Sequence, residues 1–163
     1  MTVVEDLRKK IAKSCLVSAI RKDGIRIDLS DENAERIMII DFDKNGSPLG
    51  KNDTRPDLLF VADTGGIAGG MSLDDPGRLV PIEASLGKSK KPEDVRSQLQ
   101  AGANCVNEVL DEKLKPTLLP VFLGKPGKHV RNEIEKTRYN INFRGQQKGI
   151  RIMRNGRKLP TPE

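Results

Sequence analysis

Two carboxylates, Asp57 and Glu83, stand in or beside apolar stretches where a charge needs a reason. RPDLLFVAD (55–63) and LVPIEASLG (79–87) both read as strands, and side chains along a strand alternate between its two faces. That alternation groups Glu83 and Ser85 with Leu79, Pro81 and Gly87, off the main apolar face formed by Val80, Ile82, Ala84 and Leu86. It groups Asp57 with Leu59, Val61 and Asp63. If the strands pair with Asp57 and Glu83 on one face, two hard oxygen donors converge. Such donors suit Mg²⁺ or Mn²⁺, which polarises a phosphate and lowers the pKa of a bound water. The alternative for Glu83 is a rim charge on a half-exposed sheet face.

The elements that must position these residues follow from periodicity. Val4, Leu7, Ile11 and Cys15 recur at helical spacing and predict an amphipathic helix from residue 3 to about 15. IRIDL (25–29) and RIMIIDF (36–42) read as strands, and the Gly, Asn, Asp and Pro of residues 43–54 as a loop. A glycine-rich loop, TGGIAGGMSLDDPG (64–77), precedes the Glu83 strand. Pro92, Glu93 and Asp94 suit a helix start, and Val95, Leu99, Gly102, Ala103, Val106 and Leu110 form its continuous stripe. TLLPVFLG (117–124) is a further strand, with Pro120 marking an edge or a bulge. Strand, helix, strand over 79–123 favours a parallel pair in a mixed sheet. The last forty residues predict a short helix over 129–138 and a hairpin pairing YNINF with GIRIMR through GQQK.

The order α, β, β, β, α, β, with Pro56-Asp57 opening one strand, Glu83-Ala84-Ser85 on the next and Gln98 on the following helix, resembles the PD-(D/E)xK nuclease superfamily. The resemblance covers roughly residues 1–124 and implies a restriction-endonuclease-like mixed sheet flanked by helices. It further implies that Asp57 and Glu83 bind the metal, that the Ala84 carbonyl adds a backbone oxygen, and that Glu5 is the place of one further acidic ligand. Gln98 takes the position where many members carry a glutamine. The departure is Ser85, which stands where the motif's lysine should be. That lysine orients or activates the attacking water and offsets charge at the phosphate. Lys88 and Lys90, just past the strand, are the residues that could reach in to replace it.

Other motifs carry less. Gly87-Lys88-Ser89 lacks the glycine five residues earlier that a phosphate-binding P-loop requires, because position 82 is Ile. One histidine, His129, makes a zinc site or a His-based triad a poor fit. Cys15 and Cys105 are far apart, and with no secretory leader visible a reducing, cytoplasmic setting is expected. No apolar run reaches the roughly 20 residues of a membrane span.

Charge divides the chain. Residues 125–163 hold eleven Lys and Arg against three Glu, a net +8, while residues 1–124 hold eighteen against twenty, a net −2. The expected organisation is a nuclease-like core over 1–124 and a basic α/β extension over 125–163, packed on or following it. Arg144, Lys148, Arg151 and Arg154 are its candidates for gripping phosphates, without base readout because only Tyr139 and Phe143 could stack. The leading expectation is a Mg²⁺- or Mn²⁺-dependent endonuclease acting on nucleic acid, DNA ahead of RNA, with a homodimer left open. The alternatives are a non-cleaving nucleic-acid-binding module on the same fold and an interaction protein whose basic end meets an acidic partner.

Overall fold

Thr2 and Glu5 cap one another's backbone N–H groups and so start helix α1 (Val3–Lys10), whose Val3, Val4 and Leu7 are buried. The helix stops short of Cys15 because Ile11 is already extended; a 3₁₀ turn at Lys13–Cys15 keeps Cys15 in the core instead. In the computed structural model residues 1–63, 76–86, 90–136 and 139–160 are described. The TGGIAGG stretch and Lys88 fall outside them.

Strand β1 (Leu16–Val17) is followed by a two-residue hairpin, β2 (Arg21–Lys22) and β3 (Ile25–Arg26), turned by Asp23 and Gly24 at φ 50° and 82°. Positive φ at both central residues is what a type I′ turn needs, and Asp-Gly supplies it. This corrects the expected strand over Ile25–Leu29: only Ile25 and Arg26 form a strand, outside the main sheet, and Asp28 adds an isolated parallel bridge to Lys158.

The main sheet is built from β4 (Ile37–Asp41), β5 (Leu58–Ala62) and β6 (Arg78–Leu86), joined antiparallel in that order. Helix α2 (Pro92–Val109) then crosses over so that β7 (Thr117–Leu118) and β8 (Val121–Lys125) return parallel to β6. Pro120 splits the expected single strand in two, since it has no N–H for the ladder. After α3 (Lys128–Glu135), strand β9 (Asn140–Phe143) turns at Arg144 and Gly145 into β10 (Gln146–Gly149). The hairpin partner is therefore QQKG. RIM becomes β11 (Arg151–Met153) and joins the edge of the main sheet parallel to β8.

Among the described residues the result is an α/β fold with a seven-stranded mixed sheet, order β1-β4-β5-β6-β8-β11 with β7 also on β6, flanked by three helices. One face packs against α1 and α2 through Leu59, Val61, Leu79, Leu99 and Val106; the other buries Phe60, Val80 and Ile82 under Ile20, Ile25 and Ile27. Burial on both faces is why β5 reads as an unbroken apolar run. The basic C-terminal part contributes to the same core through Ile141, Phe143 and Ile150. Cys15 and Cys105 are buried and free. Among the described residues no helix is long and apolar enough to cross a membrane.

Candidate active site

The antiparallel register Leu58↔Ile82 sets Asp57, the residue just before β5, beside Glu83. Alternation holds as expected within each strand and sets Glu83 on the face opposite Val80, Ile82 and Ala84, but its own face is apolar and covered as well. Leu59, Val61 and Leu79 belong to the cluster under α1 and α2, so Glu83 lies beneath a helix, not on a half-exposed face. It is 1% exposed. Gly102 makes this packing close: a Cβ there would lie 2.9 Å from Pro56 Cγ and 3.2 Å from Pro81 Cβ. Helix α2 can therefore lie directly on the two prolines that precede the acidic pair by one and two residues.

The two acids hold one another through the backbone. Asp57 N–H donates to Glu83 Oε1 at 3.2 Å, and Ala84 N–H donates to Asp57 Oδ2 at 2.8 Å. Lys90, just before α2, donates from Nζ to Glu83 Oε2 at 2.8 Å and to the Ala84 carbonyl at 3.2 Å. Burial pushes the Glu83 carboxyl up to about 8; its hydrogen bond and charge repulsion with Asp57 push the same way, and Lys90 opposes them. This favours the protonated form of Glu83 near neutral pH.

Outside this pair lies a second layer of charge. Lys22 Nζ approaches Asp57 Oδ1 at 3.9 Å and bonds Asp43, which also meets Arg55 at 2.9 Å. The bond to Asp43 raises the Lys22 pKa and lowers that of Asp43. Sequence reasoning missed Lys22, Asp43 and Arg55. The Asp23-Gly24 turn signal beside Lys22 was the feature that could have placed the hairpin. A cleft of about 500 Å³ opens here, lined by Asp43, Arg55, Asp57, Asp94 and Gln98.

Of the other expected site residues, Gln98 reaches this cleft, and its buried Oε1 has no hydrogen-bond partner among the described residues. Ser85 is 6% exposed with its Oγ likewise unpartnered. Glu5 is elsewhere. Its carboxylate accepts from Thr2 N–H, and the start of α1 is tied to Asp63 at the far end of β5, roughly 20 Å along the strand from Asp57. Its work is helix capping, so the site has two acidic side chains and not three.

Arg144 also proves to be structural. Its five guanidinium N–H groups meet the Asn107 side chain and the carbonyls of Asn107, Leu110, Asp111 and Leu114, closing the carboxyl end of α2. No donor is left for a phosphate. Lys148, Arg151 and Arg154 are exposed.

Among the described residues, no group of three or more His, Cys, Asp or Glu is arranged to hold a metal. Two carboxylates and a carbonyl still fit Mg²⁺, which is commonly bound by one or two carboxylates and completes its shell with waters and phosphate oxygens. Comparison of the chain with protein-family models, curated proteins and solved structures finds no match.

Proposed function

We propose that the protein is a metal-dependent nuclease that hydrolyses phosphodiester bonds of nucleic acid. One observation carries this: Asp57, Glu83, the Ala84 carbonyl and Lys90 meet at one point beside an open cleft. The likeness of PD…EAS to the PD-(D/E)xK pattern adds the reaction class. A Mg²⁺ or Mn²⁺ held by Asp57, Glu83 and the Ala84 carbonyl would polarise the phosphate and supply hydroxide from water near neutral pH.

The chain's own residues then have definite tasks. Glu83 gives up its proton on loading, so occupancy should rise with pH toward about 8. Lys90 spans Glu83 Oε2 and the Ala84 carbonyl, two of the oxygens proposed as ligands, and must release them when a cation binds. Moved outward on its flexible stem, its ammonium can offset charge at the phosphate, the task of the lysine missing at position 85. Gln98 lines the cleft, and its buried amide oxygen is free to accept a hydrogen bond there.

Incubation with Mg²⁺ or Mn²⁺ and a panel of duplex, single-stranded and branched DNA and RNA tests the reading. Cleavage by the native chain that is lost in Asp57→Ala and Glu83→Ala is expected; cleavage that persists in both variants contradicts the site. One observation favours the second reading, a nucleic-acid-binding module without cleavage: the Lys90 ion pair closes the acidic pair from the position a cation would take. Binding without cleavage on every substrate would select it.

A further inference from the structure

The parallel strands β6, β8 and β11 end side by side. Ser85 pairs with Gly124, Leu86 with Lys125, and Leu123 with Met153. Crevices outside the carboxyl ends of strands are the usual ligand sites of open α/β sheets. One such crevice, about 480 Å³, opens here, with Ile25 and Ile152 as its apolar lining and Lys125, Arg131 and Arg154 as its cations.

Three features distinguish it from a solvated basic surface. The Lys125 and Arg154 side chains have no hydrogen-bond or ion-pair partner among the described residues, and the Arg131 side chain uses only Nε, in an exposed pair with Glu135 at 3.3 Å. The backbone carrying Arg154 is fixed next door: Arg26 N–H donates to Asn155 Oδ1 at 2.9 Å, and Gly156 N–H to the Arg26 carbonyl at 2.8 Å. Gly124, at φ 119°, lets β8 pass Ser85 where a Cβ would lie 2.1 Å from its carbonyl oxygen. The crevice and the end of the Glu83 strand are therefore rigidly joined. Glu83 lies three residues before Leu86 and one strand over, on the order of 10 Å from Lys125 along the sheet.

We propose that Lys125, Arg131 and Arg154 form a phosphate-binding subsite for a single nucleic-acid strand, with a sugar or base face lying against Ile152 and Pro126. That this is the strand presented to Asp57 and Glu83 rests on the nuclease reading; binding itself does not.

The test is fluorescence anisotropy with a labelled single-stranded 12-mer in EDTA, over a salt series. Lys125→Gln/Arg154→Gln is expected to weaken binding at least about tenfold at low salt and to flatten the log–log salt slope by about 1.4, two contacts' worth. Lys9→Gln/Lys13→Gln, exposed on the opposite part of the chain and removing equal charge, should stay within about twofold. Equal loss in both pairs, or none in the first, overturns the subsite. Competition with a 5′-mononucleotide addresses the ligand: displacement at the concentration of the strand itself overturns the strand assignment in favour of a free nucleotide. Leaving out metal keeps the two proposals apart, since the subsite predicts 12-mer binding in EDTA whether or not the native chain cleaves once Mg²⁺ is added.

Discussion

Strand β6 buries two charges five residues apart, and their surroundings differ. Arg78, at its start, is 0% exposed, pairs with Glu32 and stacks over the Phe60 ring at 5.3 Å. Glu83, near its end, is equally buried, but its partners Asp57 and Lys90 have side chains 21% and 27% exposed, and Asp57 lines an open cleft. A sealed pair holds the sheet together and offers nothing to a ligand. A pair open on one side holds an acid that can exchange its proton for an incoming cation. The proposed function rests on this difference between two buried groups of one strand.

The largest effect that probes this contrast is on stability. Arg78→Met leaves Glu32 as an uncompensated buried charge, and urea unfolding should show a loss of about 3–5 kcal/mol. Glu83→Gln should behave in the opposite way, because the native group is already neutral near pH 7. Its folded pKa of about 8 lies above the ordinary value of 4.5, so Glu83 contributes stability below about pH 4.5 that declines as pH rises and is gone above about 8. Relative to Glu83→Gln, the native chain should therefore lose a few kcal/mol between pH 5 and pH 8.5; a flat difference would mean that Glu83 is not held neutral. Arg144→Ala should cost about 3 kcal/mol by freeing the carboxyl end of α2, with no change in oligonucleotide affinity. Weakened binding at unchanged stability would return Arg144 to the phosphate-contacting set. Smallest is Gly102→Ala, where a gain of about 1 kcal/mol in helix propensity is outweighed by contact with Pro56 and Pro81. A net loss of roughly 1 kcal/mol, with reduced metal binding, is expected by calorimetry.

The part of the site written in local pattern was legible. Period-two alternation grouped Glu83 with Ser85 and Asp57 with Leu59 and Val61, leaving their shared face to the register, and the Pro92 start with its apolar stripe located α2. Lys90 was one of two lysines within reach of the strand's end. What escaped depends on partners distant in sequence. Which face of β6 is covered by α2 is decided by packing at Gly102, and alternation is silent on it. Arg144 looked like a surface cation because its five acceptors lie 30–37 residues away. RIM looked like the natural hairpin partner of YNINF, yet QQKG is the nearer strand, and Arg151–Met153 gain more as a parallel edge on β8. Glu5 was drawn toward the site by analogy, whereas its spacing from Thr2 already spelled a capping box.

The most direct test is a Mn²⁺ titration by calorimetry at pH 7.5 on the native chain, Glu83→Gln and Lys90→Met. The acidic pair as a cation site capped by Lys90 predicts one site in the native chain, none in Glu83→Gln, and severalfold tighter binding in Lys90→Met, whose side chain no longer holds Glu83 Oε2 and the Ala84 carbonyl. Equal Mn²⁺ affinity in all three would contradict it.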